Sequence, residues 1–256
     1  MLFAVEAPNN SGLLFFISYN GRMKLHRFYV GGVHDKWGPL ELDHLIWVHD
    51  ERLLNQWLRV LRFRPGDQLV LFNDETERIY KITKVEFPHS VHLELVTELE
   101  TKKPTKHIYL LWSLLKKDKN DWVLQKATEL GVSNFVPILA DRSEKTGFNL
   151  ERAQSIVVEA VEQCGRADIP DIREPLTTET AVREYADTPL LICEQGEQTV
   201  DLQALTTVAL LIGPEGGWSE AERALFATAN LQHINIAPFT LRAETAAIVA
   251  ATKLFQ

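Results

Sequence analysis

The apolar positions of this chain change rhythm near residue 100. Before it they fall in short runs with polar breaks. Residues 69–73 and 79–85 are two such runs, and 91–96 alternates with period two, as a half-buried strand does. Over 42–61, Trp47, Leu53, Leu54, Trp57 and Leu58 recur at intervals that suit a helix. The pattern predicts a small β-barrel with one helix. From His107 onward, continuous apolar runs alternate with amphipathic ones. Strands are predicted over 108–112, 135–139, 190–193, 208–212 and 234–237. Helices are predicted over 121–130, 150–164, 178–185, 219–229 and 243–254. The 150–164 segment is the clearest: Ala153, Ile156, Val157, Ala160, Val161 and Cys164 form one stripe. Asn149 is placed to cap its start and Gly165 to end it. Alternating strand and helix with wholly apolar strands predicts a parallel sheet covered on both faces, an α/β architecture.

Two turns carry candidate chemistry. The apolar run Leu210-Leu211-Ile212 ends in Gly213-Pro214-Glu215-Gly216-Gly217-Trp218, and Ser219 with Glu222 then forms a capping box. Three glycines and a proline in five residues exceed what turning requires. Such a strand–loop–helix junction offers a ligand backbone N–H groups and a surface without Cβ atoms. The second turn, Leu241-Arg242-Ala243-Glu244-Thr245-Ala246, opens an alanine-rich helix that can lie close against a ligand or another backbone. There is no G-x-G-x-x-G and no G-K-[ST], so neither a Rossmann dinucleotide site nor a P-loop is indicated.

Composition narrows the class. The chain has 256 residues, 45% hydrophobic and 24% charged, as soluble globular domains do. Cys164 and Cys193 are the only cysteines and lack C-x-x-C spacing, and the histidines form no ligand pair. A reducing, cytoplasmic setting without a metal is therefore expected. The net charge of −8 argues mildly against nonspecific nucleic-acid binding. Local basic groups remain: Arg59, Arg62 and Arg64; Lys102, Lys103 and Lys106; Lys116, Lys117 and Lys119. Any one of these alone reads as a solvated face. The apolar run over 13–17 is too short to span a membrane and has no basic segment before it.

Seven segments in order then resemble the RsmE-type ribosomal RNA uridine-N3 methyltransferase family of the SPOUT class. Met23-Lys24-Leu25-His26-Arg27-Phe28-Tyr29-Val30 is similar to its start, and Leu58-Arg59-Val60-Leu61-Arg62-Phe63-Arg64-Pro65-Gly66-Asp67 to a second motif. Gln125-Lys126-Ala127-Thr128-Glu129-Leu130-Gly131-Val132, Arg142-Ser143-Glu144-Lys145 and Glu162-Gln163-Cys164-Gly165-Arg166 follow, and the two turns above complete the set. One departure is the segment Ala237-Pro238-Phe239-Thr240-Leu241-Arg242, which lacks the family's usual glycine.

The resemblance implies four parts: an extension over 1–22 that is dispensable, a PUA-like RNA-binding domain over 23–98, a linker over 99–105, and a SPOUT domain with a C-terminal trefoil knot over 106–256. It implies S-adenosylmethionine as cofactor, small-subunit (16S) ribosomal RNA or the small subunit as partner, and a homodimer. Leu211, Ile212, Gly213, Pro214, Glu215, Gly216, Gly217, Leu241, Ala243, Thr245 and Ala246 would line the cofactor pocket. Arg242, Glu244 and Arg166 would serve catalysis, although Arg166 could equally pair with Asp168 structurally. Arg27, Arg62, Arg64, Arg142, Lys145 and Gln163 would contact RNA. A SPOUT enzyme acting on another RNA, such as transfer RNA, and a noncatalytic RNA-binding relative are the alternatives.

Overall fold

The computed structural model describes residues 25–32, 40–144, 147–194 and 200–254. The expected extension over 1–22 and the expected RNA contact Lys145 lie outside them. The chain divides into two compact units, Met1–Glu100 and Thr101–Gln256. No helix among the described residues is long and apolar enough to cross a membrane.

The first unit holds strands β1 (Arg27–Tyr29), β2 (Leu45–Val48), β3 (Gln68–Phe72), β4 (Glu77–Glu86) and β5 (Ser90–Leu99). Their order is β1-β3-β4-β5-β2, antiparallel except for β1 beside β3. All five strands send residues into one core, where the buried Trp57 is joined by Phe28, Tyr80 and Leu93. A short helix α1 (Glu51–Leu54) runs on as π-helical turns over Asn55–Val60 and carries Trp57 into that core. The helix expected over 42–61 thus begins only at Glu51, where the Asp50 carboxylate accepts a bond from Leu53 N at 2.8 Å. The preceding residues alternate instead. Ile46 and Val48 are buried, Leu45 and Trp47 are exposed, and the segment pairs with β5. Period two won over the helical reading because Trp47 faces outward.

In the second unit the chain runs β6 (His107–Ser113), α2 (Lys117–Glu129), β7 (Asn134–Leu139), α3 (Leu150–Cys164), β8 (Asp171–Ile172), β9 (Leu176–Thr177), α4 (Thr178–Glu184) and β10 (Leu190–Cys193). It continues through β11 (Thr207–Ile212), α5 (Glu220–Thr228), β12 (Gln232–Ile234) and α6 (Ala243–Lys253). The strands form one parallel sheet in the order β12-β10-β11-β6-β7-β8, with β9 also on β7. The middle strands are apolar on both faces: Leu110, Leu111, Val208, Leu210 and Leu211 are all fully buried. Two-residue strands such as β8 and β9 are too short to leave a periodic signal. β12 shares only Ile234 with the expected 234–237, because Asn235 accepts a bond from Ala237 N through its side-chain oxygen and turns the chain.

Register places the site. Ile212 at the end of β11 pairs with Trp112 of β6, which pairs with Pro137 of β7. The loops after β11, β6 and β7 therefore leave one edge of the sheet together. Ligands in open α/β sheets bind in the crevice beyond this carboxyl edge. After the edge strand β12 the chain returns, and α6 packs on α2 and over β6 and β11 at mid-sheet.

Candidate cofactor site

The glycine-rich loop is anchored at both ends. At its start the buried Ser113 hydroxyl donates to Ile212 O at 3.0 Å. A turn follows, in which Gly217 N donates to Pro214 O at 2.9 Å while Gly217 takes φ +68°, where a side chain would be strained. A Cβ on Gly213 would sit 3.0 Å from the Trp218 indole, and one on Gly216 would sit 3.2 Å from Arg142 Cβ. The two missing side chains thus admit other parts of the protein to the loop. Trp218 fills the space behind Gly213, buried and edge-on to Phe226 at 4.9 Å. Arg142, from the loop after β7, donates to Gly216 O at 3.2 Å.

At the far end, Glu222 does more than close a capping box. Ser219 Oγ accepts from Glu222 N, and Glu222 Oε2 accepts from Ser219 N at 2.8 Å. The other oxygen of Glu222 accepts from Thr178 Oγ1 of α4 at 2.7 Å and from Asp141 N at 3.1 Å. One nearly buried carboxylate thus joins the glycine loop, the loop after β7 and α4. Ser219 Oγ also donates to Asp141 Oδ2 at 2.5 Å. The capping box was legible in the sequence, but the links to Asp141 and Thr178 span too many residues to leave a local signal.

The second loop enters α6 through Arg242, its N-cap, which has an exposed side chain and makes no capping bond of its own. Ala243 and Ala246 are buried, and Leu241, Glu244 and Thr245 are half-buried. Lys119 of α2 joins the two loops: it forms a hydrogen-bonded ion pair with Glu215 of the first and lies 3.5 Å from Glu244 of the second. The Glu215 carboxylate holds the Lys119 ammonium above the usual lysine range. Its neighbour Asn120 locks the start of α2. The buried Asn120 side chain accepts from Trp112 Nε1 and Leu115 N and donates to Leu115 O. Lys119 stood in the sequence only as one member of a lysine group, since nothing local marks a residue that meets partners about 100 positions away.

The buried Glu244 Oε2 at these loops has only the Lys119 ammonium, at 3.5 Å, and takes no closer hydrogen bond. Buried acceptors are usually better satisfied, so this carboxylate fits a site that a polar ligand completes. The expected pocket residues Ile212–Gly217 and Leu241–Ala246 are brought together, linked by Lys119.

Other expected site residues lie elsewhere. Arg166 is buried; it donates to Thr128 O and Val132 O at 3.0 and 2.9 Å and pairs with Asp168 at 2.6 Å. Thr128 and Val132 precede β7, so Arg166 lies at the amino edge of the sheet. A six-residue strand, about 20 Å, separates it from the glycine loop. Gln163, exposed on the last turn of α3, ends at the same edge. Arg166 therefore secures a turn and does not reach the pocket of its own chain, which corrects its catalytic assignment. In the first unit Arg27 is also taken up. It forms a two-point ion pair with Glu77 at 2.8 and 3.0 Å, with both side chains less than a tenth exposed, and lies over the Phe72 ring. It is a core residue, not an RNA contact. Arg62 and Arg64 are exposed beside the turn into β3.

A strand–glycine loop–helix junction is clipped to a second loop at the carboxyl edge, where open α/β sheets place their ligands. Residues 101–255 match a family model described as an RNA methyltransferase domain, and residues 58–96 match one described as an RNA methyltransferase PUA domain. The ribosomal RNA small subunit methyltransferase E of Aquifex aeolicus is 31% identical over 198 residues, 74% of this chain and 86% of that protein. The protein of the same name from Rickettsia conorii is 26% identical over 236 residues, 89% and 94% of the two chains. A crystal structure of a ribosomal RNA small subunit methyltransferase E from Neisseria gonorrhoeae, bound to S-adenosyl methionine, matches with a TM-score of 0.77. It is 25% identical and covers 90% of this chain and 97% of that one. The chain belongs to the ribosomal RNA small subunit methyltransferase E family.

Proposed function

We propose that this protein methylates N3 of a specific uridine in small-subunit (16S) ribosomal RNA, with S-adenosylmethionine as methyl donor. The observation that carries the reading is the pairing of a glycine loop with the α6 loop through Lys119, on a chain that belongs to this family over both its parts. The cofactor supplies a methyl group already activated by its sulfonium. Backbone groups of Ile212–Gly217 and Leu241–Ala246 hold it, with the Glu244 carboxylate beside them.

Uridine N3 carries a proton, and losing it leaves negative charge on O2 and O4. Arg242, exposed at the start of α6, stabilises that charge together with the positive end of the helix. Arg142, fixed on Gly216 O, meets the target base or its phosphate. Glu244 acts by holding Lys119 in place. Arg62 and Arg64 of the PUA-like domain over 23–98 contact phosphates without reading sequence. The target uridine must be unpaired or flipped out, because a stacked base offers no access to N3.

The reading extends to a SPOUT-type trefoil knot in the chain after Leu190. Its support is the return of α6 from the edge strand β12 to mid-sheet. It extends also to a homodimer working in the cytoplasm on the small subunit. The test is incubation with labelled S-adenosylmethionine and small subunits from cells that lack the activity, followed by nucleoside analysis. N3-methyluridine in the small-subunit RNA is the expected product. A different methylated nucleoside, or none, overturns the assignment.

A further inference from the structure

The ion pairs between the two loops do not balance. Lys119 is one cation between two carboxylates, Glu215 and Glu244, and neither carboxylate has a second cation among the described ion pairs. The side chains of Lys119, Glu215 and Glu244 are only 23%, 29% and 13% exposed, so water screens this excess incompletely. Arg142 is held on Gly216 O and Arg242 precedes Glu244 by two residues, but neither forms an ion pair with Glu215 or Glu244 among the described residues. Glu244 lies in the first turn of α6, whose dipole favours its ionised form. Its Oε2 has the Lys119 ammonium at 3.5 Å and no closer partner. The cluster thus carries one uncompensated negative charge at the wall of the site.

We propose that Lys119, Glu215 and Glu244 form a charge-selective cluster that favours the cationic methyl donor over its neutral demethylated product. The inference rests on the reading that these loops hold S-adenosylmethionine. Methyl transfer moves the group from sulfur to N3 and returns the bonding pair to sulfur. The sulfonium becomes a neutral thioether, S-adenosylhomocysteine. A wall with one unmatched carboxylate holds the first form more tightly than the second and so promotes exchange of spent cofactor. Lys119 sets the balance. Without it the two carboxylates would repel each other across the loops; with a second cation the selectivity would vanish.

Calorimetry on the full chain tests this by the ratio of the two affinities. Kd is measured for S-adenosylmethionine, S-adenosylhomocysteine and sinefungin, an analogue with an ammonium where the sulfonium sits. Glu244→Gln neutralises the cluster and is expected to lower the preference for the cationic donor by about fivefold. Lys119→Met doubles the excess and is expected to raise that preference by a similar factor, even as both affinities fall through looser loops. Sinefungin is expected to follow the donor. A merely structural cluster would weaken all three ligands alike. Unmoved ratios in both variants, or shifts of the same sign, overturn the proposal. If Glu244→Gln fails to fold, Glu215→Gln carries the same expected sign. Failure of the unsubstituted protein to bind S-adenosylmethionine overturns the functional reading itself.

Discussion

At the scale of single residues, the same residue type takes opposite roles according to what surrounds it. Arg27, Arg166 and Arg242 all sit in family-like segments. Arg27 and Arg166 are spent on Glu77, Asp168 and backbone carbonyls, whereas Arg242 faces solvent at a helix start. Burial is the discriminator, since a buried guanidinium must find partners inside the chain. The glycines follow the same logic. At Gly216 a Cβ would press on Arg142 Cβ at 3.2 Å, so a branched side chain must displace the arginine that binds the Gly216 carbonyl. Gly216→Val is expected to cut S-adenosylmethionine affinity at least about tenfold, or 1.4 kcal/mol, while circular dichroism stays native. Unchanged affinity in calorimetry would show that the loop tolerates the bulk.

At the scale of elements, the site is held by a few long-range polar joints. Glu222 ties α5 to α4 and to the loop after β7 through three donors. Removing a buried acceptor leaves those donors unsatisfied, at about 1–3 kcal/mol for such a group. Glu222→Ala is therefore expected to lower the unfolding free energy, measured by urea denaturation, by that amount. Ser219→Ala, which removes the cap and the exposed bond to Asp141 Oδ2 but leaves no buried donor unsatisfied beyond Glu222 N, is expected to lose about 1 kcal/mol. Equal losses from the two would show that the bonds of Glu222 to Thr178 Oγ1 and Asp141 N contribute nothing. The strand at β2 gives the opposite lesson for reading elements. Leu53, Leu54 and Trp57 do mark a helical turn, but Trp47 belongs to a strand whose apolar outer face mimics helical spacing.

At the scale of the molecule, a protein of net charge −8 that acts on RNA must concentrate its attraction locally. Arg64 is exposed beside the turn into β3. Arg64→Ala is expected to weaken RNA binding alike for all sequences and to reduce the slope of log affinity against log salt by about one. A loss confined to one RNA sequence would instead assign Arg64 to base reading. Light scattering at micromolar concentration is expected to give twice the chain mass, and a monomer would remove the homodimer from the reading.

The alternation of apolar runs after His107 was enough to predict a parallel α/β sheet, because strands buried on both faces must be apolar throughout. Local chemistry likewise exposed the Asn149 and Ser219 caps and the glycine-rich turn, since these act over three or four residues. Tertiary structure alone decided the rest. It placed Lys119 between Glu215 and Glu244, set Arg166 at the far edge of the sheet, and turned Glu222 into a joint between three segments. Such contacts join residues tens of positions apart. Their energy depends on register, burial and the direction of a side chain, which only the packed sheet fixes.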